Sequence, residues 1–416
     1  MVNRLDQQIS FIHCADLHLD SPFKGLSHIS NQITDQVRES TFQAFNQMIE
    51  LAIDKQVDFV LIVGDIFDQE EQSMKAHMTV IRGFRRLMEN GIYVYLSFGN
   101  HDFMKSQTFP RNYPDNVFVF EKEQVEVFPF IKNAQVIANI YGFSYYNRAV
   151  ENNMVPQYKI KGDVPFHIAS LHGSLGNSNT DHANYAPFQL NELKKSAFDY
   201  WALGHIHKRE ILSDKPAIVY PGNIQGRSIK ETGEKGCYHV TLSESGSVLE
   251  FCRLDQIQFR KVSLDAAEIT DINEVMNIVE KQMELTLQTI DKVLLELTFV
   301  QAPDHFIKWD KEGKLVEMRE LWNEQFSQQT NWAQILKIKI EKSRKIHEWQ
   351  EGEQFLQQLQ TTFAQSSDLE DIIEPLWYHV EGRKWLDQLA EEEQEELLSR
   401  AKEEVFYLLH ESEESE

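Results

Sequence analysis

Two apolar runs in the first quarter of the chain each stop abruptly at a group of polar residues. VDFVLIV is followed by GDIFD at residues 64–68, and IYVYLS is followed by FGNHD at residues 98–102. Runs of this kind are typical of strands buried on both faces of a sheet. A carboxylate or a carboxamide–imidazole pair directly behind each strand predicts a polar site at the strand ends.

The same pattern recurs along residues 1–255. Further strand-like runs are ISFIHCAD, FHIASLHG, FDYWALGH and AIVYPGN, and helical patterns separate the first three strands. The second helical pattern ends at Asn90 and Gly91, a pair that favours a helix C-terminus. Strands alternating with helices predict an α/β fold with covered sheets, in which ligands gather beyond the carboxyl ends of the strands.

The polar residues at these strand ends have the chemistry of a metal site. They are Asp16, His18, Asp65, Asn100, His101, His172, His205 and His207. Mixed nitrogen and oxygen ligands suit borderline-hard divalent metals such as Mn, Fe or Zn rather than calcium. Alternate residues of an extended segment point to one face, so both members of an Asp-x-His or His-x-His pair can turn towards one cavity.

Asp65 is the candidate that can join two ions, because a carboxylate has two oxygens. Two ions about 3.5 to 4 Å apart hold both the attacking and the leaving oxygen of a phosphoryl displacement. A single histidine near a strand end is more often structural, and His13, His77 and His167 are predicted to be so. Five ordered clusters, each behind an apolar strand, favour one shared site over a set of ordinary turns.

The charge balance restricts the classes of partner. The 416 residues include 41 Lys and Arg against 65 Asp and Glu, a net charge of −24, whereas a general nucleic-acid coat protein needs a basic surface. The acidic residues concentrate towards the C-terminus, and local basic groups such as HKRE lie in the first half, so a nucleic-acid substrate is not excluded.

Targeting signals and cysteine pairing are not evident in the sequence. No run approaches the roughly 18 to 20 apolar residues of a membrane-spanning helix, and the first residues lack the apolar core of a signal peptide. Cys14, Cys237 and Cys252 have no paired spacing, which argues against a disulfide framework or structural zinc. These features predict a cytoplasmic protein with no membrane partner.

The pattern changes after residue 255. TDINEVMNIVEKQMEL predicts an amphipathic helix, and KVLLELTF and QILKIKI predict strands on either side of another helical stretch. Residues 256–345 are therefore predicted to form a small α+β domain. Residues 346–416 are acidic and are predicted to be helical, with a break at Pro375.

The order of ADLHLD, GDIFD, FGNHD, LHGS and GHIH resembles the motifs of calcineurin-like metallophosphoesterases. FIHCADLHLDSPF and YPGNIQGRS…ETGEKGCYHV further resemble the DNA-repair exonucleases of the SbcD type, most closely the bacterial branch called YhaO. The resemblance covers residues 1–255 and implies a layered β-sandwich flanked by helices. Beyond that range only the presence of a small capping domain agrees.

The resemblance also implies roles for the polar residues. One ion would be held by Asp16, His18, His207 and the bridging Asp65, and the other by Asn100, His172, His205 and Asp65. The ions of this family are usually Mn2+, with Fe, Zn or Mg as alternatives. His101 matches the family's catalytic histidine, which stabilises developing charge or protonates the leaving 3′ oxygen. At position 68 the archaeal and eukaryotic members have an active-site histidine, whereas this chain has Asp68. The difference leaves the balance of exonuclease and endonuclease cleavage open.

These features predict a metal-dependent phosphodiesterase that hydrolyses DNA by a two-metal mechanism in DNA repair, as an exonuclease with endonuclease activity left open. The resemblance implies a coiled-coil ATPase of the SbcC type as partner, and a homodimer is left open. The predicted docking segment is a C-terminal amphipathic helix, with packing on its own protein as the alternative. Its apolar side includes Leu386, Leu389, Leu397, Ala401, Phe406 and Leu409.

Two other functions stay open. A phosphatase or cyclic-nucleotide phosphodiesterase would use the same metal ligands, since one such site serves monoesters and diesters alike. A non-catalytic DNA-end-binding subunit of an ATPase complex is the second, although the full ligand set argues against it. The candidates for phosphate contacts, with ordinary surface charge as the alternative, are Lys24, Lys208, Arg209 and Arg227.

Overall fold

The computed structural model describes residues 7–23, 26, 29–68, 72–106, 112–176, 185–327, 330–342, 397 and 401. The chain divides into two compact units, residues 1–343 and 344–416. Apart from Leu397 and Ala401, the predicted helical region 346–416 lies outside the described residues, and so does Lys24. The predicted boundaries after residues 255 and 345 stay predictions.

The described strands and helices follow in chain order. The strands are β1 (Ile9–Cys14), β2 (Phe59–Val63), β3 (Tyr93–Ser97), β4 (Val117–Val119), β5 (Glu126–Lys132), β6 (Gln135–Gly142), β7 (Phe166–His172), β8 (Tyr200–Gly204), β9 (Glu210–Asp214), β10 (Ala217–Tyr220), β11 (Gly236–Ser243), β12 (Gly246–Arg253), β13 (Gln258–Asp265), β14 (Lys292–Ala302) and β15 (Trp332–Lys342). The α-helices are α1 (Asn31–Asp54), α2 (Met74–Glu89), α3 (Leu190–Lys195), α4 (Ile272–Leu287), α5 (Asp304–Lys311) and α6 (Lys314–Gln325).

Two large mixed sheets form the first part of the fold. The first has the order β12-β11-β1-β2-β3-β4, and β1 to β4 are parallel. The second has the order β5-β6-β7-β8-β10-β9, with β6, β7, β8 and β10 parallel. The predicted α/β fold class is confirmed.

The two sheets pack face to face because their central strands are apolar on both sides. Every residue of β2 is buried. Phe59 and Leu61 belong to the core between the sheets, whereas Val60 and Ile62 belong to the core under the helices. In the core between the sheets, the Phe59 ring stacks on Phe11 with centroids 4.8 Å apart.

The helices α1 and α2 cover the outer face of the first sheet. Each begins at a serine whose hydroxyl accepts a hydrogen bond from the first turn: Ser30 from the Ile33 N–H and Ser73 from the Ala76 N–H. The helix α2 ends as predicted, with Asn90 as the C-cap and Gly91 in the left-handed region at φ 73°.

A third, smaller sheet contains β13, β14 and β15, all parallel, and packs on α4, α5 and α6. The predicted apolar face of α4 is confirmed, since Val275, Val279 and Met283 are buried in this core. The other face of the sheet contacts α1, where the Trp332 indole donates to Gln36 Oε1 at 3.0 Å. This contact fixes the small α+β unit against the helix that follows β1.

The parallel arrangement brings several strand ends together. The carboxyl ends of β1, β2 and β3 lie at one edge of the first sheet, and those of β7 and β8 at one edge of the second. The loops behind β1 and β2 are joined by hydrogen bonds from the Asp16 and His18 N–H groups to the Gly64 and Asp65 carbonyls. Within the described residues, no helix is both long enough and apolar enough to span a bilayer.

Candidate metal centre

The predicted polar residues converge at this edge of the two sheets. Three groups of side chains have ligand atoms within 4.8 Å of one another. They are Asp16, His18 and His207; Asp16, Asp65 and His172; and His18, Asp68 and His101. Asp16 and His18 each belong to two groups, so the groups form one continuous cluster.

Several of these residues have a backbone conformation that is uncommon outside glycine. The φ angles are positive at Asp16 (52°), His18 (43°), Asp65 (51°) and His205 (94°). Such conformations cost of order 1–3 kcal/mol each and cluster at functional sites. In this protein they turn the chain sharply behind each strand and direct the side chains into the cluster.

The first half of the cluster contains His18 and His207. Their Nε2 atoms lie 3.0 Å apart, and the two rings are nearly perpendicular. Asp16 lies beside them and is fixed by the His205 N–H, which donates to its carboxylate oxygens at 3.0 and 3.1 Å. Asp16 and His18 are fully buried, so the atoms packed around them leave their side chains little freedom to move.

The second half is centred on Asn100. Its Oδ1 lies 3.0 Å from His172 Nε2 and 3.1 Å from His205 Nδ1. Asp65 Oδ2 lies 3.4 Å from the same His172 nitrogen and 3.9 Å from His18 Nε2. Asp65 therefore contacts both halves, as its predicted bridging position requires.

The donor set fits divalent cations. His172 Nδ1 donates to the Val63 carbonyl at 3.0 Å, so in the neutral ring Nε2 carries a lone pair. This lone pair faces the Asn100 carbonyl oxygen and the Asp65 carboxylate. Three acceptor atoms that face one another in this way can all bind one cation. Carboxylate, carboxamide and imidazole ligands together suit a metal of the Mn, Fe or Zn type.

The electrostatics of the buried groups favour positive charge at the same place. Burial alone would lower the pKa of His172, but the charges of Asp65 and Asp16 outweigh it and raise that pKa to about 9. Burial also opposes ionisation of Asp65, yet His172 and His18 hold its pKa well below the usual range. By contrast, burial lowers the pKa of His205 to about 3, so that ring is neutral, whereas the charged His172 ring would have to release its Nε2 proton when a cation binds.

His101 occupies a different position from the other histidines. Its Nδ1 donates to the Asp68 backbone carbonyl at 2.8 Å, and its backbone N–H donates to Asp65 Oδ1 at 2.9 Å. Its ring lies edge-on to His18, with centroids 4.8 Å apart. These contacts orient the ring at the border of the cluster.

Arg227 is not free to bind phosphate as the sequence suggested. Its guanidinium contacts the carboxylates of Asp68 and Glu231, and its side chain is only 16% exposed. The sequence missed this pairing because Asp68 and Arg227 are 159 residues apart. Of the other predicted phosphate contacts, Lys208 and Arg209 are exposed, and the Arg209 guanidinium lies 3.6 Å from the Phe251 ring centroid.

Two carboxylates that the sequence did not assign, the buried Asp102 and the half-buried Glu231, also support the cluster. Asp102 accepts hydrogen bonds from the Gly99 N–H at 2.8 Å and the Ile66 N–H at 2.7 Å, and so joins the loops behind β3 and β2. Glu231 accepts from His207 Nδ1 at 2.7 Å. Asp102 directly follows the Asn-His pair, a signal that could have identified it, whereas no spacing points to Glu231.

His13 has the structural role that the sequence predicted. It is fully buried, with Nδ1 at 2.9 Å from the Tyr200 hydroxyl and Nε2 at 3.2 Å from the Leu203 carbonyl. Both ring nitrogens therefore have partners that join the two sheets, and burial lowers the pKa of His13 to about 3.

Gly99→Ala should disturb the cluster without changing any of its ligands. A Cβ at this position would lie 2.3 Å from Asp65 Oδ1 and 2.7 Å from His172 Nε2, closer than packing allows. We expect weaker binding of divalent metal, measured by calorimetric titration with Mn2+. Gly91→Ala is the control: its Cβ would meet nothing within 4 Å, and the strain of alanine at a φ of 73° acts at the end of α2, away from the cluster. Equal metal affinity in both variants would contradict the expectation.

Comparison with known proteins gives a consistent assignment. The sequence model of the calcineurin-like phosphoesterase family matches residues 9–209. The metallophosphoesterase YhaO of Bacillus subtilis (strain 168) is 38% identical over 400 residues, which are 94% of this chain and 96% of that protein. The DNA double-strand break repair protein Mre11 of Sulfurisphaera tokodaii is 29% identical over 48% of this chain and 49% of its own length.

A bacterial relative with a nuclease name is more distant. The SbcD component of the nuclease SbcCD of Escherichia coli (strain K12) is 24% identical over 57% of this chain and 66% of its own length. The relative at 38% identity spans nearly the whole chain, and the family motifs coincide with the buried cluster at the strand ends. The chain therefore belongs to the calcineurin-like metallophosphoesterases.

Proposed function

We propose that this metallophosphoesterase is a two-metal phosphodiesterase that hydrolyses DNA, acting from strand ends. The observation that carries the proposal is one cluster of two buried carboxylates, a carboxamide and several imidazoles, in which Asp65 lies near histidines of both halves. The names of the Mre11 and SbcCD relatives support DNA as the substrate and a place in DNA repair.

The proposed metal ligands fall into two sets that share Asp65. The first set is Asp16, His18, His207 and Asp65, and the second is Asn100, His172, His205 and Asp65. We propose Mn2+ as the metal, with Fe, Zn or Mg as alternatives, because both sets mix nitrogen and oxygen donors. Bound ions would neutralise phosphate charge and lower the pKa of a coordinated water.

The residues of this chain would then perform the remaining steps. Asp65 and Asn100 hold a compact, buried array that needs little rearrangement when substrate binds. The hydrogen bond from His101 Nδ1 to the Asp68 carbonyl fixes the ring, so that in the protonated ring Nε2 carries the proton that the leaving 3′ oxygen requires. His101 is therefore proposed as the general acid.

A substrate larger than a small phosphate ester is supported by the surroundings of the cluster. The loop behind β10 contacts the strand-end residues, since the Asn223 N–H donates to the His207 carbonyl at 3.4 Å. Lys208 and Arg209 are exposed directly after His207, where they can meet a phosphate backbone. As the net charge of the chain is −24, we include in the proposal a coiled-coil ATPase partner that supplies further basic surface.

A direct assay tests the proposal. The full chain, freed of metal and then supplied with Mn2+, is incubated with an end-labelled linear duplex, a single strand and a small phosphate monoester. We expect progressive shortening of DNA that stops when a chelator is added. Cleavage of the monoester alone would favour a phosphatase, and binding of duplex ends without cleavage under any divalent metal would favour a non-catalytic subunit.

A further inference from the structure

Glu231 lies at the centre of a set of hydrogen bonds behind His207. It follows β10 in an irregular loop, and its side chain is 13% exposed. Its oxygens accept from His207 Nδ1 at 2.7 Å, Asn223 Nδ2 at 2.8 Å and the Arg227 N–H at 2.7 Å. The carboxylate therefore holds the His207 ring by Nδ1, which leaves Nε2 directed towards His18.

Asp68 has the corresponding position behind His18. Its Oδ1 lies 3.1 Å from His18 Nδ1, while His18 Nε2 is the atom that faces His207. The Asp68 carbonyl also accepts from His101 Nδ1. One residue thus contacts both the proposed ligand His18 and the proposed general acid His101.

A single guanidinium joins the two carboxylates. Arg227 Nη1 contacts Asp68 Oδ1, and Arg227 Nη2 donates to Glu231 Oε1 at 3.3 Å. Arginine suits this position because its planar fork presents several donors in fixed directions, whereas lysine acts as a point charge. Both Arg227 and Glu231 lie beyond residues 9–209, the range that the family model matches.

We propose that Arg227 is a positioning residue for the metal centre. By holding Glu231 it fixes His207 through the hydrogen bond to Nδ1, and by holding Asp68 it keeps a carboxylate 3.1 Å from His18 Nδ1; both Nε2 atoms are thereby kept at one point. Carboxylates that orient the rings of ligand histidines change metal affinity by about 10- to 100-fold when they are disturbed. The inference rests on the proposed metal function of His18 and His207.

The inference predicts a selective defect in metal binding. Arg227→Ala should raise the Kd for Mn2+ by about 10- to 100-fold at the site of His18 and His207. The site of Asn100, His172 and His205 should keep its affinity, because Arg227 contacts none of these side chains in the described structure. At the site of His18 and His207, the Kd of Arg227→Lys should lie between those of the wild type and Arg227→Ala. Lysine retains the positive charge but cannot contact both carboxylates in the same fixed directions.

Calorimetric titration with Mn2+ of the full, metal-free chain measures this effect. Asn100→Ala, which removes a proposed ligand of the second site, identifies which binding event belongs to which site. Arg86→Ala is the matched control, because Arg86 pairs with Glu50 on the outer side of α2 and should leave both events unchanged. Thermal unfolding of each variant without metal tests whether the fold is retained.

The possible outcomes separate the inference from the proposed function. Unchanged binding in Arg227→Ala, or equal weakening of both events, would overturn the positioning role. Failure of both Arg227→Ala and Arg227→Lys to fold would also overturn it, since the residue would then support the fold rather than the site. Wild-type protein that binds no divalent metal would instead overturn the proposed metal centre itself.

Discussion

Asp65→Asn should abolish turnover and weaken the binding of both metal ions. The substitution keeps the shape of the side chain but removes its charge and one of its two acceptor oxygens. Asp65 Oδ2 lies within 4 Å of a ring nitrogen from each half of the cluster, 3.4 Å from His172 and 3.9 Å from His18. Asp16 also lies near both halves, 3.9 Å from His172 Nδ1, but both of its oxygens accept from the His205 N–H.

Elemental analysis and DNA cleavage by the same preparation measure this prediction. We expect less than one bound ion per chain in Asp65→Asn, under conditions in which both metal sites of the wild type are occupied. Asp58→Asn is the matched control, because Asp58 precedes the same strand β2 at its opposite end and pairs with Lys132 at 2.7 Å. A fully active Asp65→Asn protein with two bound ions would rule out the bridging role.

The sequence predicted the location of the cluster because that location follows from local patterns. Apolar runs identify β1, β2, β3, β7 and β8, and the parallel order places their carboxyl ends at neighbouring edges. The polar residues behind each run therefore had to meet. The strands β14 and β15 and the helix α4 were predictable from their own periodicities, whereas β13 was not predicted as a strand.

The supporting residues were not predictable, because they depend on long-range packing of irregular segments. Arg227 looked like a phosphate contact, and only the conformation of its loop brings it to Asp68 and Glu231. The sequence also could not show which ring nitrogen of each histidine faces the cluster. His172 faces Asn100 through Nε2 because the Val63 carbonyl occupies its Nδ1, whereas His205 faces Asn100 through Nδ1.

His101→Ala should slow cleavage by about 100-fold or more, the usual contribution of a general acid, while metal content stays near normal. The two effects separate because the His101 backbone N–H, rather than its side chain, donates to Asp65 Oδ1. Alanine keeps that hydrogen bond, so the proposed bridging carboxylate keeps its position. Elemental analysis beside single-turnover cleavage of a linear duplex checks both parts of the prediction.

A second variant and a second substrate separate proton transfer from simple orientation. His101→Asn can still donate to the Asp68 carbonyl, which His101 Nδ1 contacts at 2.8 Å, but it has no group in place of Nε2. It should therefore be as slow as His101→Ala. In both variants, cleavage of an aryl phosphodiester, whose leaving group needs no proton, should slow much less than cleavage of DNA. Equal losses on the two substrates would contradict the general-acid role, and loss of a metal ion in either variant would identify His101 as a ligand, in line with its proximity to His18 and Asp68.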